Sequence, residues 1–183
     1  SANNVTYAAA GDQLGYWLFF SASNNATDTW GIIPVWGFAD VVASSAEGVE
    51  AGERVFGYYP TNSYLKMQSV KVFENRLIDG AEHRSKLPPG YNTYRRVGKE
   101  ADYDRNMDNM RMLLWPLYIT SFCLWDSLQH NAWHSAKQVI VISASSKTSI
   151  GLGYALAADT DAPTSIGLTS KRNQEWVAGL GLY

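Results

Sequence analysis

The feature that most constrains this fold lies near the end of the chain. Val139 to Ser143 (VIVIS) is a short, β-branched apolar run. Such a run suits a buried parallel strand, because crossover helices cover both faces of a parallel sheet. A polar turn follows, Ala144 to Ser149. The spacing then predicts a helix over Ile150 to Ala158, where Gly151, Gly153 and Ala155 permit close approach to a sheet. Asp159 to Pro163 reads as a turn, Thr164 to Leu168 as a second strand, and Asn173 to Leu180 as a second helix. This order opens a parallel, doubly wound α/β sheet.

The remainder reads differently. Phe38 to Ser44, Arg54 to Tyr58, and the stretch around Val70, Val72 and Phe73 are β-prone and separated by glycines. Short strands joined by such turns predict a small barrel. Residues 80–100 read as loop, with Pro88-Pro89-Gly90 opposing helix. The pairs His83-Arg84 and Arg95-Arg96 read there as solvated charge. Helical spacing begins at Tyr103, with Met107, Met110 and Leu114 on one face, stops near Trp115, and resumes after Pro116 towards Trp133. The reading is thus α/β in two parts: a strand-rich region over 1–100, then a long helix and a parallel sheet over 101–183.

Composition narrows the function classes. Of 183 residues, 46% are hydrophobic, enough to bury a core. Fifteen Lys and Arg against 17 Asp and Glu give a net charge of −2, so no basic field draws nucleic acid or anionic lipid. The longest mostly apolar run, Leu113 to Trp125, falls short of the ~20 residues a bilayer requires. Neither a membrane partner nor a signal peptide is expected, and Asn4-Val5-Thr6 and Asn25-Ala26-Thr27 are chance sequons. The single Cys123 excludes an internal disulfide and reads as a buried thiol. A cytoplasmic setting is compatible.

The chemistry centres on Ser143-Ala144-Ser145-Ser146-Lys147-Thr148-Ser149. A helix start after a buried strand presents unbonded N–H groups and partial positive charge, which suit a pyrophosphate. Serines Ser143, Ser146 and Ser149 stand where a glycine fingerprint is usual. The alternative is an ordinary Ser/Thr-capped helix. The second strand ends Thr169-Ser170-Lys171-Arg172-Asn173, without an acidic residue for a ribose 2′-hydroxyl. Cationic side chains there suit a 2′-phosphate, which favours NADP(H) over NAD(H). A solvated Lys-Arg pair at a helix start is the competing reading.

In their order, WPLYITSFCLWDSL (115–128), VIVISASSKTSIGLGYALA (139–157) and IGLTSKRNQEWVAGLGLY (166–183) resemble the medium-chain dehydrogenase/reductase superfamily. With SASSKT, LTS, GYW and VWGFADVV, the chain more narrowly resembles the DUF2855 branch. The resemblance covers nearly the whole chain. It implies a GroES-like barrel joined to a Rossmann domain, each incomplete in this sequence, with substrate and nicotinamide held between them. It also implies a homodimer and a small-molecule substrate. Thr120 and Ser121 match a Thr-containing segment that borders nicotinamide in quinone and enoyl reductases. Gly37-Phe38-Ala39 replaces the superfamily's GHE motif and the structural cysteine cluster is absent, so a zinc-free reductase is implied. In zinc-free relatives a Tyr shortly after an Asn serves as proton donor. Asn4 followed by Tyr7 and Tyr16 is the match, although packing roles for both tyrosines remain open.

Other chemistries fit less well. His130 and His134 are spaced i, i+4, but Asn131 replaces the glutamate of HExxH, and no metal is expected. No GxSxG marks a serine hydrolase. Ser146-Lys147-Thr148 resembles the end of a P-loop, but Val141 occupies its first glycine position. Two alternatives to an NADPH-dependent reductase therefore stay open: a cofactor-binding protein without turnover, and a nucleotide-triphosphate-binding α/β protein.

Overall fold

Val55, Phe56, Tyr58 and Tyr59 favour extended backbone, and Arg54–Pro60 is a strand buried on both sides around which the first unit is built. The computed structural model describes residues 4–22 and 30–183, and the chain divides into two units, Ser1–Met112 and Leu113–Tyr183. In the first unit, helix α1 (Asn4–Ala10) precedes strands β1 (Pro34–Asp40), β2 (Arg54–Pro60), β3 (Lys71–Val72), β4 (Arg76–Ile78) and β5 (Thr93–Arg96). The described strands form an open antiparallel sheet in the order β1-β2-β5-β4-β3 rather than a closed barrel.

Cross-strand aromatic pairs set the β1–β2 register. Trp36 faces Tyr58 and Phe38 faces Phe56, with ring centroids 5.1 and 4.9 Å apart. Tyr58 joins Tyr16, Phe19 and Phe20 in one core, while Val55 and Tyr59 join Leu77 and Tyr94 in another. Gly57 faces Tyr94, and a Cβ built there would sit 2.3 Å from the ring's Cδ1. Gly57→Ala is therefore expected to cost at least about 2 kcal/mol by overpacking, read as a lowered urea midpoint.

Further sequence expectations fail in this unit. Strand β1 starts at Pro34, earlier than expected, and β5 lies within the supposed loop. The arginines of β5 hid it. Arg96 is buried, pairing with Glu53 at 2.5 Å and donating to the Phe73 and Gly48 carbonyls at 3.0 and 2.7 Å. Arg84, likewise expected to be solvated, is only 1% exposed and pairs with buried Asp79. It also donates to Tyr94 at 3.4 Å, and burial pushes that phenol up to about 12, with Arg84 opposing the rise. Residues 89–92 form a 3₁₀ turn rather than an α-helix.

Helix α2 (Asp108–His130) contains the division between the units. It starts after Tyr103 and Met107, which were expected inside it. Asp104 caps a preceding 3₁₀ turn instead, accepting from Asn106 N at 2.9 Å. Nor does Pro116 interrupt the helix. The missing proline N–H removes one backbone bond, and the helix continues to His130.

The second unit follows the expected order: β6 (Gln138–Ile142), α3 (Lys147–Ala158), β7 (Thr164–Leu168) and α4 (Gln174–Ala178). Strands β6 and β7 are parallel neighbours, with Val139 opposite Ser165 and Ile140 opposite Ile166. Val141, Leu152, Leu156 and Trp133 form the core. The run was expected to be buried throughout, yet Ile140 and Ile142 are exposed, at 60% and 73%. Alternation points them to the opposite side from Val141. Between α2 and β6, Ala132 to Ser135 take positive φ, so Trp133 enters the core from a left-handed turn. His134 lies in that turn, and the i, i+4 face assumed for His130 and His134 does not form. Cys123 is exposed rather than buried, because Ser121, Trp125 and Leu128 form the inward side of α2.

Candidate nucleotide-binding turn

Strand β6 delivers the chain into a turn whose first residue, Ser143, has φ +53°. This left-handed conformation is where a glycine is ordinarily favoured. By spacing, GxGxxG falls on Ser143, Ser145 and Thr148, and the serines divide the work differently from the expectation. Ser146 is the N-cap of α3; its Oγ accepts from Ser149 N at 3.2 Å and donates to Ser149 Oγ at 2.9 Å. Ser149 Oγ donates to the Ile142 carbonyl at 3.1 Å. Ser143→Gly is expected to stabilise the unit by about 0.5–1 kcal/mol, since relief of the left-handed penalty exceeds the added chain entropy. A raised thermal midpoint would register this.

The turn's carbonyls are largely occupied by the protein itself. Ser143 O accepts from Ser146 N at 2.8 Å, and Ser146 O from Ile150 N at 2.9 Å. Tyr183 Oη lies 3.2 Å from Ala144 O and 2.9 Å from Ser149 O, and burial raises this phenol's pKa. Gly167 makes room for the ring, since a Cβ there would come within 2.7 Å of it. Ser121 Oγ, fully buried, donates to Thr148 O at 2.7 Å. Among the described residues, the N–H groups of Ser145, Lys147 and Thr148 have no such partner. The turn therefore offers donors and few acceptors, which is the chemistry an anion requires.

The second strand end joins this turn through Ala144 N, which donates to Leu168 O at 2.9 Å, and Asn173 Nδ2, which donates to Ser145 Oγ at 3.0 Å. Ser170, Lys171 and Arg172 are exposed, and Thr169 is half-buried. No ion pair is recorded for Lys171, Arg172 or Lys147 among the described residues. Sequence reasoning thus located residues 143–149 and 169–173 in one neighbourhood. It missed Tyr183, whose only signal was an aromatic residue after a glycine-rich stretch. The hydroxyl of Thr120 donates within its own helix to Pro116 O at 3.4 Å.

The other candidates lie in the first unit. Tyr7 Oη donates to the Pro34 carbonyl and lies 3.1 Å from Tyr58 Oη. Tyr16 Oη lies 2.7 Å from Tyr91 Oη. Burial, and then the Tyr91 hydrogen bond, push Tyr16 well above its ordinary phenol range. Burial also raises Tyr7, with its Tyr58 hydrogen bond opposing. Both therefore remain protonated donors at neutral pH, and both are packed among aromatic rings. Asn4 begins α1, and its side chain lies outside the described residues. So does the Asn25 sequon. Among the described residues, no three His, Cys, Asp or Glu side chains gather as a metal site, and no helix is long and apolar enough to cross a membrane.

The family model described as "Protein of unknown function (DUF2855)" matches residues 1–183. No curated protein and no solved structure matches the chain.

Proposed function

The chain belongs to the DUF2855 family, and on that premise we propose that it is an NADPH-dependent, zinc-free oxidoreductase reducing an activated C=C or C=O group. A quinone- or enone-like small molecule is the substrate class. The observation that carries this reading is the sorting of polar groups at residues 143–149: most carbonyls engaged by the protein itself, the N–H groups of Ser145, Lys147 and Thr148 left open. Such a turn, between two parallel strands, suits a pyrophosphate.

The residues fit the cofactor. Ser145 to Thr148 would hold the pyrophosphate, and Lys171 and Arg172, exposed beyond β7, would pair with a 2′-phosphate. Bound NADPH supplies a hydride. The protein's own part is to orient the nucleotide and to supply a proton. Tyr16 and Tyr7 are kept as the proton donors that the family resemblance implies. The parallel unit is read as the start of a Rossmann domain and the antiparallel unit as GroES-like, which extends the reading to the medium-chain dehydrogenase/reductase superfamily. A cytoplasmic, homodimeric protein is part of the same proposal.

Fluorescence titration with NADPH and NADH, followed by turnover assays on quinones, enones and aldehydes, tests it. Tighter NADPH binding with substrate-dependent oxidation is expected. NADH preference, or binding of ATP alone, would overturn the cofactor assignment. Tight NADPH binding without consumption would leave a cofactor-binding protein without turnover.

A further inference from the structure

A groove of about 420 Å³ lies in the second unit, away from the phosphate-binding turn in sequence. Tyr118, Phe122, Trp125 and Gln129 of α2 line one side, with Ala155 and Asp159 at the end of α3 opposite. Phe122 and Trp125 set their rings 48° apart with centroids at 5.5 Å, making two walls of a corner. Phe122 is exposed and Trp125 is partly buried. Residues 118, 122 and 125 fall on one side of a helix, and the alanines across from them are too small to fill the gap.

One charge sits in this lining. Asp159 Oδ2 accepts from Trp125 Nε1 and from Gln129 Nε2, both at 3.0 Å, and Oδ1 accepts from Asp161 N at 2.9 Å. The carboxylate is thus fixed in place, and Oδ1 keeps one unused lone pair. No lysine or arginine lines the groove. Aromatic faces are themselves electron-rich, so rings and carboxylate present the same sign of potential to an occupant.

We propose that this groove binds an organic ammonium ion, its methylated head against Trp125 and Phe122 and its charge facing Asp159. The size falls within the range of small-molecule sites. Charge complementarity selects the occupant: an anion is repelled, and a neutral molecule forgoes both the carboxylate and the ring faces. The assignment is independent of the NADPH reading.

The test uses choline and its neutral isostere 3,3-dimethylbutan-1-ol, each titrated into the whole chain. The probe is the Trp125 indole N–H resonance, assigned through Trp125→Phe. Choline is expected to shift that resonance and to bind at least about fivefold more tightly than the alcohol, in line with a desolvated cation–π contact plus a carboxylate. Asp159→Asn, which keeps an acceptor for Trp125, should remove the preference. Phe122→Leu, at an exposed position, should weaken choline without disturbing the fold. Absence of a shift, equal binding of the alcohol, or a preference that survives Asp159→Asn would overturn the proposal.

Discussion

Asp79→Ala will lower the stability of the first unit by about 3–5 kcal/mol, the usual loss when one partner of a buried ion pair is removed. Asp79 and Arg84 are both almost wholly buried. Asp79 Oδ1 also accepts from Gln68 N and Ala81 N, each at 3.0 Å, so the substitution strands two backbone donors as well. Arg84 Nη1 donates to Tyr94, whose hydroxyl in turn donates to the Tyr58 carbonyl at 2.9 Å. The damage should therefore reach the centre of the sheet. Adding Arg84→Met to Asp79→Ala should recover a large part of the loss, because no unpaired charge then remains buried. Urea denaturation followed by near-ultraviolet circular dichroism measures both. A loss under 1 kcal/mol for the single variant would show that the pair is not buried as described.

Lys171→Ala with Arg172→Ala will weaken NADPH binding by roughly tenfold to a hundredfold and leave NADH nearly unchanged. The two charge-assisted contacts proposed to the 2′-phosphate would give that range, with solvent screening setting the lower end. The discrimination matters more than the size. NADH lacks the 2′-phosphate, so a variant that weakens both nucleotides equally would assign these residues to general structure. Raised salt should weaken NADPH more than NADH, because both share the screened pyrophosphate contact and only NADPH adds the 2′-phosphate contact.

How much of this was legible in the sequence follows from where side chains point. The β-α-β order of the second unit was readable because β6 and β7 are short β-branched runs next to polar turns. Its burial was not, since an apolar run alone does not tell whether both faces of a sheet are covered; Ile140 and Ile142 are exposed. Strand β5 escaped notice because Arg96 is a core residue through distant partners, Glu53 among them, 43 positions earlier. Charge pairs of that separation leave no local signal. Continuation of α2 through Pro116 was equally hidden. A single missing N–H is tolerated when the rest of a 23-residue helix is in place.

The candidate site divides along the same line. Residues 143–149 and 169–173 were legible because turn chemistry is local. Ser121 and Tyr183 were not legible in the roles they take. Each spends a hydroxyl on a carbonyl of the turn from a distant part of the chain, 27 residues away for Ser121 and 39 or 34 for Tyr183. The left-handed backbone at Ser143 was hidden too, since serine there gives no hint of φ +53°.

The most direct measurement is the change in backbone amide chemical shifts when NADPH is titrated into isotopically labelled protein. The donor-rich turn predicts the largest changes at Ser145, Lys147 and Thr148, with a second group at Ser170 to Asn173 that shrinks when NADH replaces NADPH. Saturable binding that leaves those amides unmoved, or no binding by either nucleotide, would contradict the account.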